Sequence, residues 1–422
     1  MNILVVSSKY PYEYSGSGLR CHNTYLRLQK KYGINYRVLT SSVTENSSCE
    51  YEIDDLSVTR ISLKPFCSYF FLNYGSNSKL VYLLFRAVGK IFYRLDYIVE
   101  AFLTFSYLFR IRKWIDFIHV YGNVNVTGAT LTFSKIFGKK ILYEVVNFED
   151  HKDYNPLTYY EPFILRLIFG TGFRSNWYVV AISEILEDLC VKHNPKVNII
   201  HRPNPVDELK FHPVSYEIKN NLRHKLSKFE ESDIVIVNIS KFMPRKNQIL
   251  IVDALQYLPK KYKLLLIGPL VTEGPFAERD FDYYESIQKL TIDLNLTHRI
   301  QIKTGFIDNV EEYFSLSDVF VFPSMDEALG TPMLESLACG IPVVMSRIKG
   351  VSDVWIDDGI NGFLSDLNPK ELARNILLSQ NLTKENLSKK SKDILNIAST
   401  ALIDKKYMTI FEKIMNINGD VF

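Results

Sequence analysis

At 422 residues the chain is too long for one ordinary hydrophobic core, and its length favours two domains. Hydrophobic residues make up 47% and charged residues 23%, a globular balance that excludes disordered and collagen-like proteins. The formal net charge of +3 and the absence of a long basic tract argue against a nucleic-acid partner.

Cysteine usage and hydropathy indicate the compartment. The five cysteines are odd in number, scattered and without a C-x-x-C pair, which favours a reducing environment. The chain opens with MNILVVSS, a buried-strand pattern rather than a cleavable signal. No apolar run reaches the roughly 18 residues that a bilayer-spanning helix needs. We therefore expect a cytoplasmic protein.

The first half alternates short β-branched runs with longer amphipathic stretches. The predicted strands are NILVV, YRVLT, DFIHVYG, KKILYEVV, NWYVVAIS and VNIIHRP. The first strand runs into KYPYEYSGSGLR, where Gly16 and Gly18 precede a helical pattern. Such a turn lets backbone amides approach an anion at a helix N-terminus. It is not a full G-x-G-x-x-G, and an ordinary surface loop has the same composition.

The strand pattern restarts after residue 205. The predicted strands are DIVIVNIS, YKLLLIG, IQIKTG, VFVFPS, IPVVMS and GFLS. Strands alternating with helices predict an α/β fold of two doubly wound, Rossmann-like domains facing a central cleft. We assign residues 1–205 to the first domain and 206–395 to the second. A helical segment over 396–422 is expected to pack back on the first domain.

Basic residues cluster where one of these strands ends. SKFMPRKNQ follows DIVIVNI and carries Lys241, Arg245 and Lys246 between a strand and a helix. Cations at such a position suit phosphate oxygens, although a solvated basic turn has the same pattern.

Two acids flank a predicted helix start in EALGTPMLESLACG. Thr331 is predicted to cap the helix, with Pro332 at its first position and a stop at Gly340. Glu335 then falls in the first turn and Glu327 in the loop before it. The pair could also do no more than complement the helix dipole and face solvent.

Several fragments, in order, resemble the retaining, nucleotide-sugar-dependent glycosyltransferases of sequence family 4, which have the GT-B fold. The fragments are VVAISEILEDL, RPNPVDELKFHP, ISKFMPRKNQ, LLLIGP, IKTGFIDNVEEYFSLSDVFVFPSMDEALGTPMLESLACGIPVVMS and DGINGFL, within residues 179–364. The resemblance implies transfer of a hexosyl or N-acetylhexosaminyl group from a UDP- or GDP-type donor to a hydroxyl. The implied setting is surface polysaccharide, O-antigen or glycolipid assembly, with a glycan or lipid-linked acceptor.

The family's E-x7-E motif falls on Glu327 and Glu335. By that resemblance Glu327 binds hydroxyls of the donor sugar and Glu335 binds the ribose. Ionised carboxylates suit this because they accept paired hydrogen bonds from vicinal diols. The backbone amides of Leu329, Gly330 and Thr331 would hold the diphosphate at the helix N-terminus.

The same resemblance assigns the basic residues and the first glycines. Lys246 stands at the family's Lys and Lys241 at its usual Arg; both are expected to stabilise charge on the leaving diphosphate. Arg245 is a further candidate. Gly16 and Gly18 match the family's N-terminal glycine-rich loop. No D-x-D motif is evident, so we expect neither a metal nor another cofactor.

The sequence departs from the family pattern at several positions. Asn247 stands where Gly is common, while Ala328 and Leu329 replace Gly and Phe. Many relatives carry a His at the end of an N-domain strand, but KKILYEVV ends in Asn147. His151 follows four residues later, either as its replacement or as an ordinary loop residue.

Two rival functions use a related cleft. A sugar-nucleotide epimerase relies on dedicated acid and base residues whose pattern is not visible here. A catalytically silent sugar-nucleotide-binding subunit would be expected to lose Glu327 or the basic pair, and the sequence retains them.

A basic, aromatic stretch suggests a membrane contact. Residues 79–113 contain seven basic residues and only two acidic ones. At helical spacing, Lys79, Arg86, Lys90 and Arg94 fall on one stripe. This pattern is typical of an interfacial helix on anionic lipid, which would place the protein peripherally at the inner face of the cell membrane. A helix packed on its own sheet has the same pattern.

Overall fold

The computed structural model confirms an α/β protein with two units, each built on a largely parallel sheet. It describes residues 1–7, 10–11, 15–41, 48–62, 81, 88, 98–122, 126–147, 177–193, 195–271 and 276–415. The first unit comprises Met1–Ile182, Leu186–Arg202 and Asp404–Phe422. The second comprises Ser183–Ile185 and Pro203–Ile403.

The first unit contains an eight-stranded sheet. Its strands are β1 Asn2–Ser7, β2 Asn35–Thr40, β3 Cys49–Ile53, β4 Leu56–Arg60, β5 Phe117–Tyr121, β6 Lys140–Val145, β7 Tyr178–Ala181 and β8 Asn198–His201. The sheet order is β3-β4-β2-β1-β5-β6-β7-β8, and only the β3–β4 pair is antiparallel among the described strands. Helices α1 Gly16–Tyr32, α2 Thr127–Phe137 and α3 Glu184–His193 follow strands, and residues 98–111 are also helical. All six strands predicted for this half are present.

Helix α1 shows why the sequence folds this way locally. Cys21, Tyr25 and Leu28 recur at helical spacing and are fully buried, which gives the helix one apolar face toward the sheet. The Ser15 hydroxyl caps the helix by accepting a 2.9 Å hydrogen bond from the Gly18 amide. Gly16 and Gly18 therefore lie inside the first turn, not ahead of the helix as predicted.

The second unit contains a six-stranded, fully parallel sheet. Its strands are β9 Ile234–Ile239, β10 Tyr262–Gly268, β11 Ile300–Thr304, β12 Val319–Phe322, β13 Val343–Ser346 and β14 Gly362–Ser365, in the order β11-β10-β9-β12-β13-β14. Its first helices are α4 Tyr216–Leu226, α5 Gln248–Leu255, α6 Ala277–Asp293 and α7 Val310–Ser315. They are followed by α8 Thr331–Ala338, α9 Ser352–Trp355, α10 Pro369–Ser379, α11 Lys384–Ala398 and α12 Thr400–Met415. All six predicted strands are present.

One glycine sets the spacing of two strand ends in this sheet. Gly268 ends β10 with φ of +156°, and a Cβ there would lie 1.9 Å from the carbonyl oxygen of Ser240. No side chain fits at that distance, so glycine allows the end of β10 to approach the segment that follows β9.

Helix α12 begins in the second unit, and from Asp404 onward it belongs to the first. The Tyr407 hydroxyl donates to Glu144 in β6 at 2.6 Å, and Arg202 donates to the same carboxylate oxygen at 2.6 Å. All three side chains are buried. Burial alone would raise the pKa of the Glu144 carboxyl, but Arg202 and its other partners lower it to about 2.

No helix within the described ranges is long and apolar enough to cross a bilayer.

Candidate functional site

The strand order of the second unit reverses between β9 and β12. These strands are parallel neighbours, with Val319 paired to Ile236, so their carboxyl ends lie at the same edge of the sheet. In open α/β sheets, ligands bind at such a reversal. Lys241 and Lys246 follow β9 and Glu327 follows β12, which brings the predicted basic and acidic residues to this edge.

A nearly buried ion pair joins the two loops. The Lys246 ammonium donates to Glu327 Oε1, and the Ser324 hydroxyl donates to the same oxygen at 2.7 Å. The side chains of Lys246 and Glu327 are only 13% and 9% exposed. The Lys246 nitrogen also lies 4.8 Å from the centre of the Phe322 ring. Burial lowers the pKa of Lys246, and the Glu327 carboxylate opposes that shift.

The loop that carries Lys246 has a fixed backbone. Residues Pro244–Lys246 form one 3₁₀ turn, and Asn247 follows with φ of +54°. Asn is the residue that tolerates this left-handed conformation best after Gly, which explains why Asn can stand where relatives commonly have Gly. The Arg245 carbonyl accepts a 2.9 Å hydrogen bond from the Met325 amide, which ties this loop to the loop that follows β12.

Arg245 lies at the rim of this pair. Its guanidinium donates to the Asp326 carbonyl and lies 3.6 Å from Glu327 Oε1, with 40% of its side chain exposed. It is the outermost of the cations in contact with Glu327.

The start of α8 differs from the prediction in two details. Gly330, with φ of +75°, precedes the helix, and Thr331 and Pro332 are its first two residues. Thr331 does not cap the helix: its hydroxyl accepts from the Asn204 amide group at 2.8 Å. Glu335 is the fifth helical residue and so lies in the second turn, half-buried, rather than in the first.

The backbone ahead of α8 is packed tightly against the site. Leu329 is 2% exposed. A Cβ at Gly330 would lie 3.4 Å from the Met345 side chain, 3.5 Å from that of Phe322 and 3.9 Å from that of Glu327. The positively polarised end of an eight-residue helix therefore lies beside Glu327.

Lys241 pairs with an acid that the sequence did not suggest. Its ammonium lies 2.6 Å from Asp280 in α6, a carboxylate with no exposure. The buried Gln248 side chain donates to the Lys241 carbonyl and to the Ser240 hydroxyl, each at 2.9 Å, which fixes the strand end.

A chain of serine hydrogen bonds leads from the interior of the second unit to Glu327, and the sequence analysis did not identify these serines. Ser324 bonds the carboxylate directly, the Ser346 hydroxyl donates to the Ser324 carbonyl, and Ser352 donates to the Ser346 carbonyl at 2.8 Å. The available signal was a Ser just after β12, in VFVFPS, and another at the end of β13, in IPVVMS.

The first unit carries the remaining candidates. The Gly18 amide is bonded to Ser15 in the first turn of α1. Asn147 lies two residues beyond β6 and is exposed, while His151 is outside the described residues. His119 is a buried β5 residue, and its Nδ1 lies 2.5 Å from the Tyr25 hydroxyl. Within the described ranges, no group of three or more His, Cys, Asp or Glu side chains could hold a metal ion.

Known proteins share parts of this sequence. The family model described as "Glycosyl transferases group 1" matches residues 219–393. An Escherichia coli UDP-Gal:alpha-D-GlcNAc-diphosphoundecaprenol alpha-1,3-galactosyltransferase is 26% identical over 46% of this chain and 48% of its own. The lipopolysaccharide core biosynthesis glycosyltransferase LpsE of Rhizobium meliloti is 32% identical over 28% of this chain and 34% of its own. The chain therefore spans less than half the length of these curated relatives.

Solved structures share the whole fold. Sucrose-phosphate synthase from Thermosynechococcus elongatus superposes with a TM-score of 0.70 at 18% identity, over 99% of this chain and all of that one. Anabaena HepE in complex with UDP and glucose gives 0.69 at 17% identity, over 98% and 100%. These likenesses show the GT-B fold. The family match assigns residues 219–393 to the glycosyl transferases group 1 family, and the solved structures extend the likeness in fold to the whole chain.

Proposed function

We propose that this protein transfers a hexosyl or N-acetylhexosaminyl group from a nucleoside-diphosphate sugar to a hydroxyl acceptor, with retention of the anomeric configuration. The observation that carries the proposal is the Lys246–Glu327 pair beside the start of α8, at the strand-order reversal. Cations, a helix N-terminus and a carboxylate there match the phosphates and hydroxyls of such a donor.

Glu327 is oriented for the sugar. Lys246 and Ser324 both bond Oε1, so the carboxylate cannot rotate freely. Within the described part of the chain, the hydrogen bonds of this carboxylate fall on Oε1. We assign Oε2 to hydroxyls of the donor sugar. Glu335, one and a half turns into α8 and half-buried, is assigned to the ribose.

Lys246 and Lys241 are assigned to the diphosphate. Charge develops on the leaving phosphate oxygens as the bond to the sugar breaks, and preorganised cations stabilise that charge most where water is excluded. Lys246 fits this role because its ammonium is nearly buried and already held in place. The amides from Leu329 to Thr331 would add the positive end of the α8 dipole. With this positive charge in the protein, we expect transfer to persist in EDTA.

Relatives support a uridine donor and a role in cell-surface glycan assembly. HepE was solved with UDP and glucose, and the E. coli relative is named for UDP-Gal and a diphosphoundecaprenol-linked acceptor. A GDP-type donor remains in the test set. We propose surface polysaccharide, O-antigen or glycolipid assembly as the setting.

A donor panel tests the proposed activity. Purified protein would be incubated with UDP-glucose, UDP-galactose, UDP-N-acetylglucosamine and GDP-mannose, with and without EDTA, and products followed by mass spectrometry and NMR. We expect slow hydrolysis or transfer from one donor with the original anomeric configuration. An inverted product would refute retention, an epimerised donor would favour the epimerase alternative, and binding without turnover would favour a silent subunit.

A lipid-linked acceptor would require the protein to contact a membrane. The helix over residues 98–111 presents a surface suited to that contact. Ile98, Val99, Phe102, Leu103 and Phe109 are exposed apolar side chains on this helix. The exposed bases Arg110 and Lys113 lie at its end. Such a combination suits anionic headgroups. The four bases of the predicted stripe, Lys79 to Arg94, lie outside the described residues.

Liposome sedimentation tests the membrane contact. We propose that the protein binds anionic vesicles more than neutral ones, that salt weakens the binding, and that Phe102→Ser with Phe109→Ser abolishes it. Equal partitioning of the wild type and the double variant would leave only helix packing as the reason for this pattern.

A further inference from the structure

A second cluster of charges lies beside Lys241 at the end of β9. Asp280, in the first turn of α6, is fully buried, and each of its two oxygens has a cation within ion-pair distance. Lys241 approaches Oδ2 at 2.6 Å, while Arg279 donates to Oδ1 from Nε at 3.0 Å and from Nη2 at 2.6 Å. One carboxylate thus holds two cations side by side.

The two cations point outward and the anion lies behind them. The Asp280 side chain has no exposure, but those of Lys241 and Arg279 are 26% and 47% exposed. One carboxylate balances only one of them, which leaves a net charge of +1 on the exposed side. The Asp280 carboxylate is buried behind the two cations, so a ligand that approaches this surface meets positive charge first. The cluster therefore favours an anionic ligand.

Helix stability alone does not require this arrangement. A carboxylate in the first turn of α6 would complement the helix dipole without Arg279. The Arg279 guanidinium is held a second time, 4.6 Å from the centre of the Phe276 ring, which orients its plane. A long, half-exposed side chain fixed at two points has already lost much of the freedom that binding would otherwise remove.

We infer that Arg279 is a further contact for the diphosphate of the donor, and that Asp280 is a positioning residue that sets Arg279 beside Lys241. The inference rests on the proposed function. Lysine offers a point charge, whereas the planar guanidinium offers a fork that can bind two phosphate oxygens at once. Arg279 therefore supplies the bidentate contact that Lys241 cannot make.

Nucleotide affinity tests this assignment. Binding of UDP, GDP and ADP would be measured by isothermal titration calorimetry for the wild type, Arg279→Ala and Arg279→Lys. Arg374→Ala is the matched control, because Arg374 is an exposed arginine on α10. We expect Arg279→Ala to weaken diphosphate binding by about 10- to 100-fold, the range of a charged hydrogen bond. The affinity of Arg279→Lys should lie between those of the wild type and Arg279→Ala, and the affinity of the control should match that of the wild type.

A rescue variant separates phosphate contact from general loss of charge. Lys241→Arg places a guanidinium beside the same carboxylate, so in the Arg279→Ala background it should restore most of the lost affinity. If Arg279 only stabilised the fold, an arginine at position 241 would not restore nucleotide affinity. The melting temperature of each variant reports any such loss of stability. A double variant as weak as Arg279→Ala would overturn the shared phosphate contact.

The possible failures are distinguishable. If the wild type binds one of the diphosphates and Arg279→Ala binds it within twofold, the inference is wrong and the proposed function stands. If the wild type binds none of the three and hydrolyses no donor, the proposed function is wrong and the inference falls with it.

Discussion

The Lys246–Glu327 pair allows the site to be tested through stability as well as activity. Glu327→Gln keeps the size of the side chain but leaves the nearly buried Lys246 ammonium without its counter-charge. Removing one partner of a buried ion pair costs roughly 3–5 kcal/mol, and the residual exposure places this pair near the lower end, about 3 kcal/mol. We expect Glu327→Gln and Lys246→Met each to lower the free energy of unfolding by about that amount.

The two changes should not add. Once either charge is gone, the contact between Lys246 and Glu327 is already lost, so the double variant should be more stable than the sum of the single effects predicts by about 2 kcal/mol. Urea unfolding followed by circular dichroism measures all four proteins. Glu285→Gln, at an exposed position in α6, is the control and should change stability little.

Activity should separate the roles of the two residues. At a temperature where every variant is folded, Glu327→Gln should lower kcat about 100- to 1000-fold, the loss seen when one electrostatic contact to a transition state is removed. Affinity for the nucleoside diphosphate should stay within about threefold, because that contact is to the sugar. Additive stabilities would refute the ion pair, and loss of diphosphate binding equal to the loss of turnover would refute the assignment to the sugar.

Three further predictions address other parts of the chain. Glu335→Ala should weaken nucleotide binding about 10- to 100-fold with kcat at saturating donor nearly unchanged, and a lower kcat with unaltered affinity would contradict its assignment to the ribose. Asn247→Val should destabilise the protein by about 1–2 kcal/mol, because a β-branched residue resists the left-handed φ of +54°, whereas Asn247→Gly should be tolerated; thermal melting decides between them. For Glu144, whose pKa is lowered from 4.5 to about 2, the stabilisation is present above pH 4.5 and lost as the pH falls toward 2. Wild-type stability should therefore fall between pH 5 and 3 by about 2 kcal/mol more than that of Glu144→Gln, and parallel urea-unfolding profiles would exclude the effect.

Local chemistry was enough to predict the twelve strands named from the sequence. Each is a short run of β-branched and apolar residues bounded by turn residues, and a strand buried on both faces requires such a run. The two strands of the β3–β4 hairpin were not predicted. Their sequences, CEYEI and LSVTR, alternate polar and apolar residues over only five positions each. The turn between them is formed by Asp54 and Asp55, which both have positive φ.

The sequence by itself also placed Glu327, Lys246 and Lys241 at strand ends, since order along the chain determines which residues follow which strand. Only the tertiary structure decided their partners. Ser324 and Lys246 meet on one carboxylate oxygen because β9 and β12 are neighbours, although 81 positions separate Lys246 from Glu327.

The partners of Lys241 and of helix α12 were likewise invisible in the sequence. Asp280 in α6 reaches Lys241 across 39 positions, and the close approach at Gly268 sets the end of β10 beside the segment that carries Lys241. Tyr407 in α12 reaches Glu144 across 263 positions. Sequence patterns report which face of an element is apolar, but a polar side chain gains its partner from whatever the packed elements bring beside it, and that depends on the whole fold.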